Sequence, residues 1–249
     1  MTLHLKSDYY FKSFASLGST SEYLKENINE LPHASVVQAD IQTAGRGQGN
    51  NSWDSAKGGL YFSILFKPDN ALLPRLLSFP MLMAMAILRG TRALGYQSII
   101  KWPNDILIDG NKVAGLLVDS QIQGDDICGL ILGAGINFKN NILDETLKSA
   151  AKKGYGICHL DRTELSIKEL LQLFIKEIDR VYHDFANKDF SILSRQYIEE
   201  SGFKQNHKYL LKNAEEYCGC MGALTPDARI ILAGDTEQRK LEVEKILPF

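Results

Sequence analysis

The spacing of apolar residues along the chain predicts short strands that alternate with three helices. Apolar runs that are typical of strands cover residues 11–15, 34–39, 60–67, 98–101, 106–108, 112–121 and 127–136. Residues 75–94 instead repeat their apolar positions with helical spacing, and further helical patterns follow Ser19 and Ser166. Strands and helices in this arrangement predict an α/β (α+β) fold.

Ser19 and Ser166 each begin a capping-box pattern. A glutamate follows three residues later in both cases, Glu22 and Glu169, and such a pair can satisfy the free N–H groups at the start of a helix. The first of these helices is expected to run to about residue 29. Free N–H groups at its start would also suit an acceptor atom of a ligand, although capping alone is a sufficient explanation for Ser19.

Beyond Gly202 the pattern changes to short apolar segments separated by Gly, Pro, Asn and Asp. These segments cover residues 208–212, 217–221, 229–233 and 241–246. Such spacing is typical of a small all-β module. We therefore expect two domains, residues 1–201 and 202–249.

The longest stretch without apolar periodicity is the loop from Gln42 to Gly59. Loops of this length are uncommon inside compact domains, and they usually carry function. Its glycines allow close approach to a ligand, and Arg46 offers a planar cation for carboxylate or phosphate. A flexible surface loop is the alternative, but Trp53 in its middle is a poor choice for exposure to solvent. We expect the loop to order over a bound anion.

The composition is that of an ordinary globular protein, and the formal charge of -2 gives no basic field for nucleic acid. The longest apolar candidate for a membrane span, residues 76–88, is interrupted by Pro80, and the N-terminus lacks the apolar core of a signal peptide. The 4 cysteines are too few for a disulfide framework in a chain of this length. We therefore expect a cytoplasmic protein that binds neither DNA nor membrane.

Cys218 and Cys220 raise the alternative of half a metal site. No second pair of Cys or His at zinc spacing accompanies them in the sequence. Two positions of a half-buried strand are the preferred interpretation.

Two lysines border a predicted hairpin, Lys101 at the end of one strand and Lys112 at the start of the next. Either one alone is best explained as a solvated edge charge. Lys101, however, leads into Trp-Pro-Asn-Asp, in which Asn104 and Asp105 offer oxygen ligands of the kind that Mg²⁺ accepts. Together with Arg46, the lysines would neutralise phosphate charge, as the activation of a carboxylate by ATP requires. The residues alone thus predict an anion-binding site that uses ATP.

Four motifs occur in a characteristic order: GRGQGNNSW (45–53), KWPND (101–105), KVAGLL (112–117) and GAGIN (133–137). Each motif is weak alone, but together they are specific, and the chain from about Phe14 onward resembles the biotin protein ligases. The resemblance implies a mixed β-sheet flanked by helices, like that of class II aminoacyl-tRNA synthetases, with a small C-terminal β-barrel.

The resemblance also implies a reaction in two steps. Biotin and MgATP first give biotinyl-5′-AMP and pyrophosphate, and a specific lysine of a biotin carboxyl carrier protein or domain then attacks the mixed anhydride. The implied cofactor is Mg²⁺, the substrates are ATP and biotin, and the partner is the carrier domain of acetyl-CoA carboxylase or a related carboxylase. The oligomeric state stays open, and a homodimer is compatible with the resemblance.

Site residues follow from the same resemblance. The residues expected to hold biotin are Ser19, Thr20, Ser21, Gln42, Gly45, Arg46, Gly47, Gln48, Lys112, Gly115, Gly133 and Gly135. The residues expected to hold ATP are Trp53, Lys101, Asn104 and Asn137. Lys112, Arg46 and Lys101 are the expected catalytic cations, and Asp105 is the expected Mg²⁺ ligand.

The chain departs from many of these relatives at two places. Where they carry a second and third cation in the loop, this chain has Gln48, Gly49, Asn50 and Asn51, so we expect the adenylate to be retained less firmly. Some relatives also carry an N-terminal helix-turn-helix. Here the catalytic pattern begins by about residue 11, so no DNA-reading element is expected.

Lipoate ligases and octanoyl transferases are the nearest alternatives. The transferases use a cysteine nucleophile, and no cysteine lies in the glycine loop or in the KWPND hairpin. A catalytically inactive sensor would be expected to lack Lys112 or Arg46, and both are present. A DNA-binding regulator is disfavoured by the missing basic face.

Overall fold

The computed structural model describes residues 9–49 and 51–248. Asn50 of the loop and the residues that precede Tyr9 lie outside these ranges. The strands are β1 (Tyr10–Phe14), β2 (Ser35–Ala39), β3 (Leu60–Phe66), β4 (Ser98–Lys101), β5 (Asp105–Ile108), β6 (Asn111–Gln123), β7 (Asp126–Ile136), β8 (Gly156–Ile157), β9 (His207–Leu211), β10 (Glu216–Gly219), β11 (Met221–Leu224), β12 (Ile230–Leu232) and β13 (Val243–Pro248). The helices are α1 (Thr20–Glu26), a 3₁₀ helix (Asn70–Ser78), α2 (Phe79–Ala93), α3 (Asp144–Lys152), α4 (Ile167–Asn187) and α5 (Phe190–Ser201).

An eight-stranded mixed sheet forms the centre of the described chain. Its strand order is β1-β2-β3-β7-β6-β5-β4, and β8 pairs with β6. β1 runs parallel to β2, and β8 runs parallel to β6, whereas the other neighbours are antiparallel. This arrangement confirms the expected mixed sheet with flanking helices.

The two faces of the sheet are covered by different helices. Alternate residues of β3, among them Phe62 and Ile64, face the large core that contains α2, α4 and α5. Leu65 faces the other way, into a smaller core under α1 that it shares with Leu24 and Ile131. The alternation of β3 therefore leaves Ser63 on the side of α1.

The predicted strands of the sheet and the helix at Ser166 are confirmed within a few residues. Ser166 accepts a hydrogen bond from the backbone N–H of Glu169, whose side chain bonds back to Ser166, so this capping box is formed. The prediction of a capping box at Ser19 is wrong. The side chain of Ser19 makes no cap hydrogen bond, and its Oγ lies 2.9 Å from Ser21 Oγ. The N–H of Thr20, in the first turn of α1, donates to Gln42 Oε1 at 2.9 Å.

Four elements were not predicted from the sequence: α3, β8, α5 and β11. The expected helix over 75–94 is in fact two elements, the 3₁₀ helix followed by α2. Pro80 does not break this segment, because it lies in the first turn of α2, where a missing N–H costs little.

The stretch Asn70–Ala93 is long and apolar enough to cross a membrane by length and composition, since an 18-residue window within it has a mean hydropathy of 1.8. Its larger part, α2, packs against α4 and the sheet, and most of its side chains are buried. A core helix passes the same test, so packing inside the protein explains this composition.

The C-terminal strands form two small sheets, with orders β10-β9-β13 and β11-β12. The expectation of a β-barrel is therefore wrong for the described residues, because the chain passes from one sheet to the other at Cys220 and the strands do not close. Both sheets pack on the main body, where Trp102 Nε1 donates to the carbonyl of Val243 at 3.1 Å and Ser194 Oγ accepts from the N–H of Leu224 at 2.8 Å. The division into domains at residue 202 stays a prediction.

Candidate active site

A single cavity on the α1 side of the sheet brings the expected site residues together. Its volume is about 610 Å³, within the range that small-molecule ligands occupy. The expected residues that line it are Ser19, Thr20, Ser21, Gln42, Gly45, Arg46, Gly47, Gln48, Trp53, Lys101, Asn104, Asp105, Lys112, Gly115, Gly133, Gly135 and Asn137. The sequence motifs therefore converge on one place, although their individual roles stay predictions.

One end of the cavity is a partly buried network of neutral hydrogen bonds. Thr20 Oγ1 lies 2.8 Å from Ser63 Oγ and 3.1 Å from Gln42 Oε1. Gln42 Nε2 in turn donates to Ser55 Oγ at 2.9 Å. The hydroxyls of Ser19 and Ser21 are 2.9 Å apart beside it. Such a set of fixed donors and acceptors can orient a polar, uncharged ligand group.

The floor of the cavity is made of two glycines that face each other across β6 and β7, Gly115 and Gly135. The indole of Trp53 lies on them so closely that a Cβ at either glycine would come within 3.0 Å of the ring. Trp53 Nε1 is buried without a hydrogen-bond partner in the described chain. The glycines are required here because they leave room for a flat ring above the sheet.

At the opposite end of the cavity, the ammonium groups of two lysines contact one carboxylate. Lys112 Nζ is 2.5 Å from Asp105 Oδ1, and Lys101 Nζ is 3.2 Å from Asp105 Oδ2. Burial lowers the pKa of Lys112, and the charge of Asp105 opposes this shift. Two positive charges share one negative charge, so this end attracts an anion such as a phosphate.

Aromatic rings border the two lysines. Lys101 Nζ is 4.4 Å from the centroid of the Tyr155 ring, and Lys112 Nζ is 5.0 Å from that of Trp53. These distances are typical of cation–π contacts. Tyr155 follows α3 and was not predicted from the sequence, because nothing in its local pattern marks it.

Asn104 and Asn137 lie in the cavity wall and are largely engaged with the backbone. Asn104 Nδ2 donates to the carbonyl of Leu116, and Asn137 Nδ2 lies 3.4 Å from the carbonyl of Lys112. Both side chains are buried. They therefore fix the geometry of β6, whatever else they contact.

Residues of the loop line the cavity and contact α1, β6 and the residue before α3. Arg46 Nη1 forms ion pairs with Glu22 of α1 and, at 3.0 Å, with Asp119 of β6. Asp54 Oδ2 accepts from the N–H of Leu143 at 2.7 Å, immediately before α3. The sequence predicted no such role for Asp119 or Asp54, and it predicted Glu22 only as part of a capping box, since each of these contacts joins distant parts of the chain.

The alternative metal site is not formed by the described residues. Cys218 is exposed on β10, whereas Cys220 donates to Asn206 Oδ1 at 3.4 Å between two strands. None of the 4 cysteines lines the cavity. In the described ranges no group of three or more His, Cys, Asp or Glu residues is placed to hold a metal ion.

Comparison with known proteins connects this cavity to a family of ligases. The chain is 41% identical over 169 residues to the bifunctional ligase/repressor BirA of Bacillus spizizenii, a match that covers 66% of this chain and 50% of that protein. It is 28% identical over 186 residues to biotin–protein ligase 2 of Arabidopsis thaliana, covering 73% of this chain and 55% of that one. The chain thus spans about half the length of the curated relatives it matches.

Solved structures support the same fold. The biotin protein ligase of Aquifex aeolicus in complex with biotin and ATP superposes with a TM-score of 0.72 at 24% identity, covering 95% of this chain and 97% of that one. The apo structure of the same Aquifex aeolicus ligase gives a TM-score of 0.68 at 21% identity, covering 96% of this chain and 97% of that one. The sequence profile of the Biotin/lipoate A/B protein ligase family matches residues 13–137, which is half of the chain. The chain belongs to the Biotin/lipoate A/B protein ligase family.

Proposed function

We propose that this protein is an ATP-dependent ligase that activates biotin as biotinyl-5′-AMP and transfers it to a specific lysine of a biotin carboxyl carrier protein. Family membership and relatives named as biotin protein ligases support this proposal. The observation that carries it is the cavity itself, which joins a partly buried neutral network at one end to two lysines at the other.

The shape of the cavity matches the parts of the two substrates. The uncharged ring head of biotin would bind at the neutral network around Thr20, and its carboxylate would extend toward Lys112. The phosphates of ATP would lie at Lys101, with Trp53 over the glycine floor and Asn137 in the wall on the nucleotide side. Gly45, Arg46, Gly47 and Gln48 would cover the ligand, and Gly133 would line the pocket beside Ser63.

The first step joins two anions, which repel each other. An oxygen of the biotin carboxylate attacks the α-phosphorus of ATP, and the bond from that phosphorus to the bridging oxygen of pyrophosphate breaks. Lys112 and Lys101 would stabilise the negative charge that develops on the phosphate oxygens. In the second step the neutral amine of the acceptor lysine attacks the acyl carbon, and AMP leaves with the bonding electrons.

Mg²⁺ is proposed to arrive with ATP. Asp105 would hold it, with an oxygen of Asn104 nearby, and the ion would offset phosphate charge when bound. The donor set fits an ion bound mainly through phosphates and water, because Mg²⁺ commonly uses only one or two carboxylates. It does not fit a site built from protein ligands alone, since both oxygens of Asp105 already contact lysines.

The partner is proposed to be the carrier domain of acetyl-CoA carboxylase or a related carboxylase. The protein is proposed to be located in the cytoplasm. We propose no DNA-binding role, because the net charge of -2 gives no general footprint for phosphate groups of DNA. The same proposal includes no membrane role, and a homodimer stays a prediction.

Two assays test the proposal. Biotin should support exchange of labelled pyrophosphate into ATP, and labelled biotin should be transferred to a purified carrier domain. Lipoate and octanoate serve as matched controls, and a carrier domain whose acceptor lysine is replaced by arginine controls for transfer to other lysines. Exchange with lipoate and none with biotin would contradict the assignment and favour the lipoate branch of the family.

A further inference from the structure

Arg46 ties the loop to two walls of the cavity. Its Nη1 atom contacts the carboxylate of Glu22 on α1 and that of Asp119 on β6, the latter at 3.0 Å. α1 begins with the residues of the neutral network, and β6 carries Lys112 and Gly115. One guanidinium therefore connects the loop to both elements that bear the proposed substrate contacts.

The two carboxylates stand outside the cavity. In the described chain neither Glu22 nor Asp119 lines it, and their side chains are 38% and 22% exposed. Both ion pairs use Nη1, and the described contacts leave Nε and Nη2 of Arg46 to a ligand. An arginine has five donors in a planar fork, so one edge can be held while the other faces the cavity.

We propose that Glu22 and Asp119 are positioning residues that hold Arg46 across the mouth of the cavity and slow the release of the bound adenylate. The identity of that ligand rests on the proposed function. Simple electrostatics gives the opposite expectation, because two negative charges near an anion site should weaken anion binding. The proposal is therefore decided by whether neutralising these two carboxylates speeds or slows the release of the adenylate.

The first experiment measures release of labelled biotinyl-adenylate from a preformed complex, without acceptor protein. Glu22→Gln and Asp119→Asn should each release it roughly threefold faster, which is the scale of one partly exposed ion pair. Glu26→Gln, one helical turn further along α1, and Asp125→Asn, in the turn after β6, are exposed matched controls and should leave the rate unchanged. Unchanged or slower release in both test variants would overturn the proposal.

A double-mutant cycle with Arg46→Ala separates positioning from a general structural role. If the carboxylates act through Arg46, neither neutralisation should alter the release rate in the Arg46→Ala background. Asp119→Glu should recover most of the wild-type rate, since it restores the charge. Additive effects of Arg46→Ala and Asp119→Asn would contradict the proposed connection.

A measurement on the protein without ligand tests the positioning role of Glu22 and Asp119 separately from the proposed function. Amide hydrogen exchange of residues 43–49 should become roughly threefold faster in Glu22→Gln and in Asp119→Asn, and stay unchanged in the two controls. If biotin does not bind the wild-type protein but exchange responds in this way, the proposed function fails and the positioning role stands. If biotin binds but neither exchange nor release responds, the positioning role fails alone.

Discussion

The two ends of the cavity are held by different forces. At one end Thr20, Ser63 and Gln42 satisfy each other through neutral hydrogen bonds of 2.8–3.1 Å in a partly buried environment. At the other end Lys101 and Lys112 share a single carboxylate, so one positive charge is left over. The first arrangement is complete without a ligand and favours selectivity, because any group that enters must match fixed donors and acceptors. The second is incomplete without an anion and favours chemistry at a phosphate.

Replacing Lys112 by alanine tests the charged end and should have the largest effect. The variant loses a preorganised cation in a buried site, so the rate of adenylate formation should fall roughly a hundredfold or more. Single-turnover formation of the adenylate measures this, with Lys148→Ala on the exposed side of α3 as the control. A change confined to the Michaelis constant for ATP would make Lys112 a binding residue only.

Replacing Thr20 by valine tests the neutral end. Valine has nearly the same shape but leaves the buried hydroxyl of Ser63 without its partner and removes one of the two hydrogen bonds to Gln42 Oε1, which costs about 1–3 kcal/mol. We expect biotin to bind roughly tenfold more weakly while the Michaelis constant for ATP stays unchanged. Calorimetric titration with biotin measures the first quantity, and Thr236→Val on the exposed C-terminal surface is the control. Equal losses for both substrates would show that the ends are not independent.

The loop between the two ends provides a third test through Gln48. A neutral amide lacks the charge assistance that roughly doubles the strength of a hydrogen bond to phosphate. Gln48→Arg should therefore slow dissociation of biotinyl-adenylate roughly tenfold, the effect of about one added charge-assisted contact. A chase with unlabelled ligand measures release, and Gln48→Met controls for side-chain length. Unchanged release in the arginine variant would leave stacking by Trp53 as the better explanation of retention.

The parts of the fold that sequence predicts are those that local pattern determines. β3 and β7 are nearly continuous apolar runs, so they were recognisable as buried strands. α3 was not recognisable, because few of its residues are apolar and its start is fixed by Asp54 from the distant loop. The expected cap at Ser19 did not form, and the N–H of Thr20 at the start of α1 donates to Gln42, which lies 22 positions further along the chain.

Prediction from local sequence has the same limit at the candidate site. The residues that the resemblance assigns to the site all line one cavity. Ser63 was missed because it reaches the cavity only through the position of β3 between β2 and β7, which no local pattern gives. The contact of Glu22 and Asp119 with Arg46 was missed because it joins three separate parts of the chain.

The smallest expected effect concerns the ring beside the lysines. Tyr155→Leu removes the face that Lys101 Nζ approaches at 4.4 Å, whereas Tyr155→Phe keeps it. A cation–π contact at a partly exposed site contributes about 0.5–1 kcal/mol, so the leucine variant should raise the Michaelis constant for ATP roughly threefold. The phenylalanine variant should match the wild type, and the affinity for biotin should stay the same in both, because the neutral end lies across the cavity. Steady-state pyrophosphate exchange at varied ATP measures the first quantity, and calorimetric titration measures the second. If the phenylalanine variant loses as much as the leucine variant, the hydroxyl of Tyr155 rather than its ring supports the charged end, and the cation–π explanation is wrong.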